Sequence, residues 1–246
     1  MYICSSEHLS SRVTTVEEIQ RIKGLFPEDC TFEIVVYLRR QDELFLGCVV
    51  ESIKAGASLQ EVQDYKAVFT RKTYGKSYFQ YEELLNHWGM VFGTSALIVR
   101  VFEKDQLHNG DVVADFMQIL GINIPVSDIN IQKKNITLSP EILLNFQEIC
   151  DIHPHISRYK MAEYLARIDP FPKGGLIPAE DLSAFYSLFD EGNGRIARQY
   201  FHRDYLFTES PKYRYFDSSN SAKVTQAKAK IIQLFDEYLA KNALLP

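Results

Sequence analysis

Residues 32–56 read FEIVVYLRRQDELFLGCVVESIKAG, and the period of the apolar positions changes inside that stretch. Ile34, Val35, Val36, Tyr37 and Leu38 form a continuous β-branched and aromatic run, the pattern of a strand buried on both faces of a parallel sheet. From Gln41 onward the apolar residues fall at Leu44, Phe45, Cys48, Val49 and Ile53, the stripe of an amphipathic helix that ends near Gly56. Arg39 and Arg40 sit at the joint. In an open α/β sheet ligands bind outside the carboxyl ends of the strands, and the helix that follows offers unpaired N–H groups to anions. Two arginines there add planar donor forks that match phosphate oxygens. The alternative is local: Arg39 and Arg40 pair with Asp42 and Glu43, carboxylates that also suit a first helical turn.

The rest of the chain alternates in the same way as far as residue 124. Thr14 and Thr15 with Glu17 and Glu18 signal a capping box for a helix reaching Leu25. Ser58 and Glu61 signal another, for a helix to Phe69. Residues 71–78, RKTYGKSY, form the most basic stretch and read as a solvated or acceptor-contacting loop. Tyr81–Phe92 is an amphipathic helix stopped by Gly93, Ala96–Phe102 a second buried strand, and Asp111–Leu120 a short helix burying Val112, Val113, Phe116, Ile119 and Leu120. Tyr2-Ile3-Cys4 reads as a short strand at the start, and Arg100 with Glu103 as a structural ion pair, with a place in an acceptor cleft as the alternative. Beyond Ile124-Pro125 the pattern is helices and turns. Ser139-Pro140 opens a helix, others cover 157–168, 179–189 and 218–240, and Glu191-Gly192-Asn193 reads as a turn.

Composition bounds the class. A hydrophobic share of 46% over 246 residues supplies a core, and no run approaches the roughly 18 apolar residues that span a bilayer. The N-terminus lacks the regions of a secretory signal, so a cytoplasmic location is expected. A formal charge of −5 argues against a nucleic-acid binder. Cys4, Cys30, Cys48 and Cys150 are widely spaced without histidines at ligand spacing, which predicts free thiols and no zinc. His153-Pro154-His155 has no acidic or thiol partner at such spacing and is weak as a metal motif.

The segment YLRRQDEL (residues 37–44), the SSEHLS element at 5–10, YFQYEELLNHW at 78–88 and DVVADFMQILGI at 111–122 together resemble a bacterial branch of the P-loop sulfotransferases, over roughly Ser5 to Gly121. Arg195–Phe207, RIARQYFHRDYLF, resembles a segment near that family's end, and Glu103 an acidic residue after a late strand. The resemblance implies an α/β parallel-sheet core with helices on both faces over 1–124, with a mainly helical C-terminal part over 125–246 packed on it. It further implies transfer of a sulfuryl group from the nucleotide donor PAPS to a hydroxyl of a carbohydrate or glycolipid, as in polysaccharide biosynthesis.

By that resemblance Arg40, with Arg39, holds the donor's 3′-phosphate together with a helix residue two turns on, where this chain has Gly47 and Cys48 instead of the usual serine. Ser5 and Ser6 are further donor-site candidates. His8 is the expected catalytic base on the acceptor hydroxyl, with Glu7 as runner-up. From the residues alone, Ser5, Ser6 and Glu7 also suit a simple turn cap.

The family's Gly-rich loop with lysine, of the form GxxKTGT, does not occur in this sequence. The chain as it stands is therefore expected to be inactive, its start truncated or misassigned. That loop's strand is central to the sheet, and its absence predicts an exposed edge and hence a homodimer or aggregation. The competing expectation is a non-catalytic module of the same fold that binds a glycan or assists a glycosyltransferase.

Overall fold

The computed structural model describes residues 2–58, 61, 78–122, 138–208, 215 and 221–242. Its contacts divide into two compact units. The first comprises Met1–Gln41, Tyr65–Asn130 and Phe185–Ser210; the second comprises Asp42–Asp64, Ile131–Ala184 and Pro211–Pro246. The expected helix end at Phe69, the loop at 71–77 and the Ile124-Pro125 junction lie outside the described residues.

The first unit is built on a two-stranded parallel sheet, β1 (Ile34–Leu38) and β2 (Leu97–Val101). Ile34 pairs with Leu97 and Leu38 with Val101. Around it stand α1 (His8–Ser11), α2 (Val16–Lys23), the start of α3 (Gln41–Lys54), α4 (Tyr81–Phe92) and α5 (Val112–Ile119). Residues paired in register share a face, so Leu97, Val99 and Val101 look the same way as Ile34, Val36 and Leu38. That face meets α4: Gly89, on the helix, has no side chain, and a Cβ placed there would lie 3.5 Å from Leu97 Cδ1. The opposite face carries Tyr37 and Arg100, both hydrogen-bonded to Asp115 on α5. The sheet thus lies between α4 and α5, a three-layer α/β arrangement within a chain that is mostly helical.

Local sequence explains the helix ends. Thr15 Oγ1 accepts from the Glu18 N–H while the Glu18 carboxylate accepts from the Thr15 N–H, a reciprocal capping box. Asp111 caps α5 through the N–H groups of Val113 and Ala114. Gly93, at φ 89°, ends α4 in the left-handed region open to glycine. The α2 helix stops at Lys23, and Leu25, expected on its buried face, is exposed. Ser58 and Glu61 make the hydrogen bonds of the second capping box.

Four expectations are corrected. Tyr2, Ile3 and Cys4 form no strand; Tyr2 is 97% exposed. β1 is buried only at Leu38, with Ile34 to Tyr37 half-buried, because among the described residues β2 alone pairs with it. Arg100 pairs with Asp115 and not with Glu103, whose carboxylate instead accepts from the Thr208 N–H at 3.0 Å and its hydroxyl at 2.9 Å. Residues 191–193 are no turn but the first turns of α9 (Asp190–Phe201), which closes the first unit after α8 (Ala179–Ser187).

The second unit is helical. It takes α3 from Asp42 onward, then α6 (Pro140–Ile152), α7 (Arg158–Ile168), most of α8 and α10 (Ser221–Lys241). Ser139 caps α6 and Pro140 fills its first position. Phe45, Cys48, Val49 and Ile53 on α3 are buried, as are Ile142, Phe146 and Ile149 on α6 and Ile231, Phe235 and Leu239 on α10. The Arg158 guanidinium closes the end of α3, donating to the carbonyls of Lys54 (2.9 Å) and of Ile53 (2.6 Å), the latter also accepting from the Gly56 N–H at 3.0 Å. No described helix is long and apolar enough to cross a membrane.

Candidate functional site

The joint that the sequence marks out is tight. β1 ends at Leu38 and α3 begins at Gln41, so Arg39 and Arg40 alone make the turn at the carboxyl end of a parallel strand. Three contacts fix it. The Tyr81 hydroxyl donates to the Arg39 carbonyl at 2.6 Å. The Arg40 guanidinium carbon lies over the Tyr186 ring, 3.9 Å from its centroid, a cation–π contact. Gln41, fully buried, donates from Nε2 to Asn193 Oδ1 at 2.8 Å, and Asn193 Nδ2 returns a bond to Gln41 Oε1 at 3.1 Å. This amide pair ties α9 to the start of α3. Each such buried hydrogen bond contributes about 1 kcal/mol and costs more if one partner is removed.

Behind the corner lies an ionic cluster. Asp115 is 1% exposed and accepts from Tyr37 Oη (2.8 Å), Arg100 Nε (2.9 Å) and Nη2, and the His108 N–H (2.8 Å). Burial pushes its carboxyl upward, but these donors outweigh burial and hold it below the usual carboxylate range. Burial and the adjacent Asp115 raise the Tyr37 phenol, which therefore stays protonated as a donor. On α4, hydrogen bonds from Arg195 hold the Glu82 carboxyl low.

Of the other predicted site residues, Ser5 and Ser6 line a cavity of about 910 Å³ beside β1, together with Leu9 and Ser10. Glu7 and His8 are exposed at the start of α1 and do not line it. Ser6 Oγ accepts from the His8 N–H at 3.2 Å, and the Glu7 carbonyl accepts from the Ser10 and Ser11 hydroxyls, so this segment caps its own turn. Cys48 is buried in the second unit. At Gly47 a Cβ would meet nothing within 4 Å, so the helix has room for a side chain there. All four cysteines are free. His153 and His155 stand with ring centroids 6.0 Å apart, and His153 packs edge-on against Phe235. Among the described residues no three His, Cys, Asp or Glu side chains gather as a metal site.

Sequence reasoning missed Gln41 with Asn193 and Asp115 with Arg100. The first had a misleading signal: Gly-Asn-Gly at 192–194 is turn chemistry, yet the Asn193 partner lies 152 residues away. The second had a usable one. Arg100 and Glu103 differ by an odd offset in extended chain, which sends their side chains to opposite faces.

No family model matches the chain, and no solved structure matches it. It is 27% identical over 226 residues, 87% of its length, to an uncharacterised protein of the archaeon Archaeoglobus fulgidus. The chain spans 59% of that protein's length.

Proposed function

We propose that this chain carries the donor-nucleotide corner of a PAPS-dependent sulfotransferase with a P-loop-type fold, acting on a hydroxyl of a carbohydrate or glycolipid. The observation that carries the reading is the Arg39-Arg40 turn: two arginines between a parallel strand and a helix N-terminus, the guanidinium of Arg40 lying over the Tyr186 ring. A nucleotide phosphate is the ligand class such a corner suits. The residues fit it, with Arg40 as the bidentate donor and Arg39 as added charge.

PAPS, when bound, supplies the activated sulfuryl group. In this reading the chain's own residues clamp the leaving nucleotide at the Arg corner, and His8, or Glu7, takes the proton of the acceptor hydroxyl. A second reading, a non-catalytic module of the same fold that binds a glycan or assists a glycosyltransferase, is favoured by the exposed, turn-capping arrangement of Glu7 and His8.

Calorimetric titration with the product nucleotide 3′-phosphoadenosine 5′-phosphate tests the corner. Saturable binding that weakens at least tenfold in both Arg40→Ala and Arg40→Lys, about 1.4 kcal/mol or more, is expected, since lysine keeps the charge and loses the fork. No binding at millimolar nucleotide in a folded sample, or unchanged affinity in Arg40→Ala, refutes the reading. Turnover of labelled PAPS in the presence of glycan acceptors separates the enzyme from the module.

A further inference from the structure

Arg40 is restrained from three sides, each in a different way. The peptide before it is held by the Tyr81 hydroxyl, which donates to the Arg39 carbonyl at 2.6 Å. Its guanidinium lies over the Tyr186 ring, and that ring packs in turn against Phe207, with centroids 6.4 Å apart at an interplanar angle of 66°. The residue after it, Gln41, is fully buried, and its amide donates to Asn193 Oδ1 at 2.8 Å and to the Phe79 carbonyl at 3.4 Å. Arg40 itself is only half-buried.

Two of the three restraints come from one short stretch. The Phe189 N–H donates to the Tyr186 carbonyl at 2.9 Å and the Asn193 N–H to the Phe189 carbonyl at 2.8 Å, so two main-chain bonds tie residue 186 to residue 193 across the junction of α8 and α9. Phe185 and Phe189 seat the stretch on Phe79, their ring centroids 5.3 and 6.3 Å from its own. Arg195 latches the same turn of α9 to α4, donating from Nη2 to the Glu82 carboxylate at 2.7 Å. All of these residues belong to the first unit. Stability alone does not call for the amide pair: replacing both partners of a buried hydrogen bond with apolar groups of similar shape is close to neutral. What an apolar pair lacks is direction. Two amides that donate to each other meet in one register, whereas packed side chains can shift against one another.

We propose that Tyr186 and Asn193 are positioning residues for the anion corner. Neither touches the phosphate; together they aim the Arg40 guanidinium, Tyr186 by direct contact and Asn193 through the main chain of Gln41. The proposal rests on the nucleotide reading of that corner and adds the residues that give Arg40 its direction. A donor fork held in place before the ligand arrives loses less side-chain freedom on binding, and the saving appears as affinity.

The test has an arm without nucleotide and an arm with it, both on the 246-residue protein. Protons over an aromatic face resonate upfield, so the NMR signal of Arg40 Nε–H, assigned by its loss in Arg40→Lys, reports the place of the guanidinium over Tyr186. Tyr186→Phe keeps the upfield position and Tyr186→Leu abolishes it. Asn193→Leu alone lowers the urea midpoint. Gln41→Met with Asn193→Leu restores that midpoint, yet the Arg40 signal loses at least half of its upfield displacement. In calorimetric titration with 3′-phosphoadenosine 5′-phosphate, this double variant and Tyr186→Leu each bind about threefold or more weakly. Tyr186→Phe binds as the unaltered protein does, and none of these changes alters the residual affinity of Arg40→Ala. An Arg40 signal that the double variant leaves in place, affinity that recovers along with the midpoint, or losses that persist in full in the Arg40→Ala background overturn the proposal. An unaltered protein that does not bind the nucleotide refutes the nucleotide reading instead, and the Arg40 signal then decides the positioning alone.

Discussion

Asp115→Ala removes the acceptor shared by Tyr37, Arg100 and the His108 N–H, and the cost follows from what is left behind. Breaking a buried ion pair by deleting one partner costs about 3–5 kcal/mol, because the other charge remains in a dry site. Arg100 is not fully dry: its side chain is 32% exposed and Nη2 keeps the Gln106 carbonyl at 3.2 Å. Partial solvation lowers the expected loss to about 3 kcal/mol. The loss lowers the thermal midpoint by roughly 6–12 °C at the usual sensitivity of a chain this size. Trp88, the only tryptophan of the chain and buried in the same unit, makes its fluorescence in a urea titration the direct readout. The triple variant Asp115→Leu, Arg100→Met, Tyr37→Phe replaces the three side chains with apolar groups, leaves the His108 N–H as the one donor without its acceptor, and is expected to recover more than half of the loss. A cost below about 1 kcal/mol for Asp115→Ala, the scale of an exposed pair, refutes the reasoning, as does a triple variant no better than the single.

Two further outcomes are accessible to the same spectroscopy. Gly47→Ala, in the interior of α3 with open space around the new Cβ, raises stability by about 0.5–1 kcal/mol through helix propensity, read as a higher circular-dichroism midpoint; a lower midpoint shows that the space is not free. The pH dependence has a fixed sign. Glu18, Glu82 and Asp115 are all held below the ordinary carboxylate range by their donors, so their stabilisation is present above about pH 4 and is lost as the pH falls through the folded values. The urea midpoint from Trp88 therefore drops between pH 5 and about pH 3, and a midpoint that holds or rises over that range contradicts the assignment.

What could be read from the sequence was what neighbouring residues decide. The switch from a continuous β-branched run to a period of 3.6 at Arg39-Arg40 marked β1 and α3, and Thr15 with Glu18, Asp111 and Ser139 marked helix starts through hydrogen bonds spanning two or three residues. Partners chosen by topology were not legible. Gln41 is polar at a helix start and reads as solvated, yet it is fully buried because Asn193 meets it. The continuous apolar run of β1 and the stripe of α5 both call for burial, yet Ile34 to Tyr37 and Phe116 and Leu120 are only half-buried. These shortfalls share one place, the wall of the same cavity.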